Sequence, residues 1–209
     1  MDTDGRMAPI YRGMEWIMQF AYLQLLWTMT TLLGGVIVGI FPATLAMFAV
    51  VRKWIRGDYE FSVFSVFWKQ YKLDFMKANA VGWIMVCIGF SLYFYYDLIT
   101  GFDGWLYSIG RVVIVMLAII YCMTLLFLFP FFAHYNVPML GVLKKSMLIA
   151  LASPIQVLIM GVCIGVFIYV MKLIPIITFI LNISLLAFAL MWIAILKFSK
   201  LDREAKVNM

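Results

Sequence analysis

From Trp16 to Val51 the chain runs 36 residues without a charged side chain, and this stretch constrains the fold more than any other. A bilayer core about 30 Å thick is crossed by roughly 20 apolar helical residues. The stretch is too long for one untilted crossing and short for two. Its middle, "LLGGVIVGIFP", holds the means of dividing it. Gly34, Gly35 and Gly39 are poor helix residues, and Pro42 suits the first turn of a new helix. The pattern predicts one helix over 14–38 and a shorter one over 42–57. Arg52, Lys53 and Arg56 end the second helix, reaching headgroups along their aliphatic stems.

With 66% hydrophobic and 12% charged residues, the chain holds more apolar surface than a soluble domain of 209 residues could hide. It reads as an integral membrane protein. The net charge of +6 is spread over several loops and marks topology. It forms no basic stripe of the kind that binds nucleic acid. Cys87, Cys122 and Cys163 lie in apolar runs without CxxC spacing, and His134 is the single histidine. No metal or other cofactor is expected, and the cysteines are expected to pack as small hydrophobes. The N-terminus lacks a signal-peptide pattern, so the first helix is expected to stay in the mature protein.

In "FSVFSVFWKQYKLDFMK", Phe61, Phe64, Phe67, Trp68, Tyr71 and Phe75 recur at steps of three and four. Ser62, Ser65, Lys69, Lys72 and Lys77 fall on the opposite side. This predicts an amphipathic helix over 61–77, too charged to span and lying at the interface or against a partner. Four more spans are predicted over 79–99, 105–132, 147–171 and 176–196, followed by a polar, frayed tail. The fold class is therefore all-α: one polytopic transmembrane bundle over 1–209 with six spans, five being the alternative. With six spans and both termini cytoplasmic, fourteen of the sixteen basic residues fall inside, leaving Arg111 and Lys172 outside. Five spans would split them twelve to four.

The run "GIFPATLAMFAVVRKWIRGDYEFSVFSVFWKQYKLDF" resembles the signature of the YesL-like family of bacterial membrane proteins. Gly39, Pro42, Ala43, Thr44, Arg52, Lys53, Gly57, Phe67 and Trp68 fill the family's places. The later connector around Pro130 and Lys144 is similar as well. The resemblance implies a bacterial plasma membrane. Members are commonly encoded beside carbohydrate ABC importers, which implies an accessory role in sugar uptake but no mechanism.

The enzyme readings fail on inventory. There is no Walker A, GxSxG or HExxH motif, and Glu15, Asp97 and Asp103 all fall near predicted span ends. Neither cytoplasmic connector carries the Glu-Ala-Ala coupling loop of an ABC permease. Arg111 either snorkels outward, pairs with Asp97 or Asp103, or faces inward toward a solute or partner helix. Gly35-xxx-Gly39 and Gly161-xxx-Gly165 permit close helix contact, within the chain or with another subunit. His134 reads as a solvated helix end.

The leading expectation is a non-enzymatic accessory subunit of an oligosaccharide ABC uptake system, with permease and ATPase subunits as partners. Arg52, Lys53, Arg56, Phe64, Phe67, Trp68 and Tyr71 are the expected contact region, and Gly39, Pro42, Thr44 and Gly57 shape the turns. Charge reversal at Arg52 and Arg56 is expected to disrupt assembly. The rival is a stand-alone small-solute channel or transporter lined by Thr28, Thr31, Ser91, Ser153, Gln156 and Asn182.

Overall fold

The first apolar stretch folds back on itself at the glycines. In the computed structural model α1 (Asp4–Leu33) stops before Gly34, and α2 (Ile40–Ile55) returns alongside it. The structure describes residues 4–207 apart from 136 and 174, and side chains over 13–135, 137–173 and 183–203. Helix α1 ends five residues earlier than the expected 38 because Gly35 adopts φ +74°. Gly35 N–H then bonds Leu32 O at 3.0 Å and Val36 N–H bonds Thr31 O at 2.8 Å. These are the paired bonds of a Schellman cap, which satisfies the last carbonyls of α1. Pro42 sits in the first turn of α2, where its missing N–H has no helical partner to lose. Gly57, at φ +81°, turns the chain just past the end of α2.

Thr44 ties α2 to α1. Its Oγ1 donates to Ile40 O at 2.7 Å and accepts from Trp27 Nε1 at 3.1 Å. Helix α2 forms the centre of the molecule, packed by α1, by α3 (Val63–Leu73), α4 (Phe75–Thr100), α5 (Trp105–His134) and by α8 (Pro175–Val207). Leu45, Met47, Val50, Val51 and Trp54 are fully enclosed there with Leu23, Phe67, Phe127 and Phe198. Because lipid is as apolar as leucine, close packing and internal hydrogen bonds hold such a bundle, with no gain from leaving water. Gln24 supplies one of those bonds pairwise: its Oε1 accepts from Ile183 N–H and Ser184 N–H, both at 3.1 Å.

Several expected boundaries move. The amphipathic helix covers 63–73, not 61–77, since the backbone bends at Asp74 and Lys77 belongs to α4. The expected span 147–171 is divided between α6 (Met139–Leu151) and α7 (Pro154–Leu173). Pro154 cannot donate a helical bond and opens α7 instead. The tail expected to fray is helical through Val207, because Phe198 is fully buried against Phe127, Phe131, His134 and Tyr135.

Among the described residues, four helices are long and apolar enough to cross a membrane: α4, α5, α7 and residues Ile183–Arg203 of α8. Helix α2, with 16 residues, is about 24 Å long, short of a hydrocarbon core of about 30 Å.

Candidate functional site

Helix α3 divides its aromatic residues between two faces. Ser62 caps it, accepting from Ser65 N–H, and sets the register. Phe67 and Tyr71 then point into the bundle and are buried, and Tyr71 Oη donates to Thr30 O at 3.3 Å. Burial raises the Tyr71 phenol above its ordinary range, which keeps it a donor. These two residues therefore leave the expected contact region, being committed to holding α3 against α2 and the end of α1.

The outward face keeps the rest. Phe64, 49% exposed, stacks on half-buried Trp68 with centroids 6.1 Å apart and planes 10° from parallel. Lys72 Nζ lies 4.9 Å over the Trp68 ring. With Ser65, Lys69 and exposed Leu73 they line an open groove of about 560 Å³. An aromatic floor with two lysines at its rim suits an amphipathic or acidic peptide segment.

The basic cluster at the end of α2 is less free than its sequence suggests. Lys53 pairs with Asp58 at 3.0 Å and covers the Phe61 ring at 4.5 Å, closing the α2–α3 turn. Arg52 donates from Nη1 to His134 O at 3.1 Å, and Arg56 Nη2 lies 3.3 Å from His134 Nε2. The expected solvated His134 is in fact buried, its side chain 5% exposed beneath Phe198 and Tyr135. Tyr135 Oη donates to Asp202 Oδ1 at 2.8 Å. Burial, reinforced by Asp202, holds the Tyr135 phenol well above its usual range. Arg52 and Arg56 thus fasten α2 to the end of α5, and reversing them would damage packing before it tested docking.

Beside this junction a cavity of about 270 Å³ is lined by Arg52, Gln70, Asp74, Lys77, His134 and Tyr135. Sequence reasoning missed this grouping. Its only signals were a lone histidine at a helix end and a kink residue, Asp74, inside an aromatic pattern.

Elsewhere the candidate positions scatter. Thr28 and Ser91 bond carbonyls of their own helices, at Gln24 and Cys87. Thr31 and Ser153 are buried, and the Asn182 side chain lies outside the described residues. Arg111 donates to Ser108 Oγ at 3.1 Å, and no described carboxylate lies within 4 Å of it. The expected packing of the cysteines is not met: Cys87 and Cys122 are exposed and Cys163 is half-buried, all three as free thiols on helices whose outer surface is apolar.

Residues 20–96, which hold α2 and α3, match the family model described as protein of unknown function, DUF624. The chain is 38% identical over 152 residues to the uncharacterised protein YteU of Bacillus subtilis, covering 73% of this chain and 68% of that one. The chain belongs to this family. Identity to the uncharacterised protein YesL of the same organism is 34% over 146 residues, 70% and 68% of the two chains. To YesV, also uncharacterised, it is 29% over 195 residues, 93% and 94% of the two chains. No solved structure matches the chain. Membership fits the motif positions: Gly39, Pro42, Thr44 and Gly57 all lie within the matched region and each has a specific turn or tie to form.

Proposed function

We propose that the chain is a non-enzymatic accessory membrane subunit of a carbohydrate ABC uptake system, docking on its permease and ATPase subunits through the outward face of α3. The observation that carries the docking reading is the groove of Phe64, Trp68, Lys69 and Lys72 on a helix already anchored by Phe67 and Tyr71. The link to sugar uptake rests on the family's association with carbohydrate importers. Lys69 and Lys72, both exposed, join the exposed Arg56 as the charges a partner would meet, while Arg52 is half-buried against His134.

In the bacterial plasma membrane, α4, α5, α7 and α8 cross, and both termini lie on the cytoplasmic, basic side. Six crossings would require α1 and α2 to span separately. The length of α2 and its turn favour a hairpin that enters the bilayer and returns. Residues 33–40 contain no polar side chain, and Leu33 is 83% and Ile37 62% exposed. Such a tip is stable in hydrocarbon, and its capped backbone leaves few groups to satisfy. A hairpin leaves every basic loop on the side that two full spans would give it.

The rival channel needs a polar path. Cavities of about 870 and 610 Å³ between α4, α5 and their neighbours are lined almost wholly by apolar side chains such as Leu92, Ile119 and Met147. Neither of these two cavities offers such a path. The test is purification of the tagged protein from its native membrane with identification of what accompanies it. Permease subunits should accompany the wild type and be lost from the Lys69→Glu/Lys72→Glu variant.

A further inference from the structure

Among the described residues, the two arginines at the end of α2 have no direct carboxylate partner. Among the described residues, ion pairs join Lys53 to Asp58 and Lys77 to Asp74, Asp202 lies 3.9 Å from Nε2 of His134, and no carboxylate lies within 4 Å of Arg52 or Arg56. Both guanidinium groups instead converge on one residue, Arg52 on the carbonyl of His134 and Arg56 on its ring. An arginine can only donate, so Nε2 of His134 accepts and the ring proton sits on Nδ1. That assignment makes His134 a neutral partner, unable to compensate either charge. Arg52 Nε–H and His134 Nδ1 are both buried without a hydrogen-bond partner. A partly buried guanidinium without a counter-charge is costly, and an unpaired buried N–H adds to the cost.

The 270 Å³ cavity opens at this place. Arg52 and Lys77 contribute positive charge to its wall, while the single carboxylate there, Asp74, is already held by Lys77 at 3.6 Å and by the Gln70 amide. We infer that this cavity binds a phosphate group, held between Arg52 and Lys77, which supplies the missing counter-charge. A phosphate offers three or more oxygens in a tetrahedral array, enough to meet a guanidinium and an ammonium together. The volume admits a phosphate with a few attached atoms and is far too small for an oligosaccharide. A lipid headgroup and soluble phosphate share this chemistry, and the experiment separates them.

Thermal unfolding of the protein purified in a phosphate-free maltoside detergent is followed with inorganic phosphate, against potassium chloride of equal ionic strength. A second arm adds phosphatidylglycerol to the micelles. Saturation, about a hundredfold above Kd, should raise the midpoint by about 5–10 °C. A rise with inorganic phosphate identifies a soluble ligand, and a rise with phosphatidylglycerol alone identifies a headgroup. Arg52→Gln should abolish the response. Lys77→Gln, at a half-exposed side chain that leaves the Arg52–His134 contact intact, should weaken it at least fivefold in half-saturating concentration and covers the case in which Arg52→Gln does not fold. No rise in either arm, or an undiminished rise in Lys77→Gln, overturns the assignment.

Discussion

Replacing Gly39 by alanine should destabilise the protein, whereas the same change at Gly161 should not. Both glycines belong to a Gly-xxx-Gly pattern, and sequence alone cannot rank them. A Cβ on Gly39 would lie 2.5 Å from Thr31 O and 3.0 Å from Thr30 O. Ordinary contact begins at 3.4 Å, so the α1 end must retreat by about 0.9 Å. Those two carbonyls accept from Val36 N–H, Gly34 N–H and Tyr71 Oη. Retreat therefore strains the cap that closes α1. Overpacking of about 1–3 kcal/mol, joined by about 1–3 kcal/mol for one buried bond left unmade, gives about 2–6 kcal/mol. For a chain of this length that corresponds to a fall of roughly 4–24 °C in unfolding midpoint. A Cβ on Gly161 meets nothing within 4 Å, and alanine is the better helix former, so its midpoint should hold or rise slightly. Thermal unfolding of the two variants in one detergent decides the matter. A Gly39→Ala midpoint within about 2 °C of wild type would refute the reasoning.

Phe67→Ala should cost about 3–5 kcal/mol, because its side chain is fully enclosed between α3 and α2, whereas Phe64→Ala should stay within about 1 kcal/mol. Parallel unfolding midpoints check the contrast. Gln24→Leu removes the acceptor shared by Ile183 and Ser184 N–H and should cost about 1–3 kcal/mol, read as faster amide exchange at those two residues and a lower midpoint.

The helical content, the division at Gly34–Pro42 and the amphipathic character of α3 were legible because each depends on local pattern. Glycine, proline and helical periodicity act within a few residues of one another. The ranking of α3's aromatics was not legible. Phe64, Phe67, Trp68 and Tyr71 share one arc, and only the position of α2 decides that Phe67 and Tyr71 turn inward. The same holds for Arg52 and Arg56. A basic pair after an apolar run satisfies the positive-inside rule whether or not it touches anything, so its attachment to His134, 78 residues from Arg56, left no local trace. The tail was misread for a related reason. Its charges suggested fraying, but Phe198 and Asp202 find partners on α5 that lie far away in sequence. The α1–α2 region shows the limit of charge counting, since a returning hairpin and two spans place the same residues on the same sides.

The most direct test of the central claim is recovery of partner subunits with tagged wild type and with the Lys69→Glu/Lys72→Glu variant, both shown to be inserted and equally stable. Both lysines are exposed on the outward face of α3 and away from the buried pair Phe67 and Tyr71, so the change leaves the core untouched. The account predicts near-stoichiometric ABC permease subunits with the wild type and their loss from the variant. Wild type recovered alone, or subunits retained by the variant at wild-type level, would contradict it.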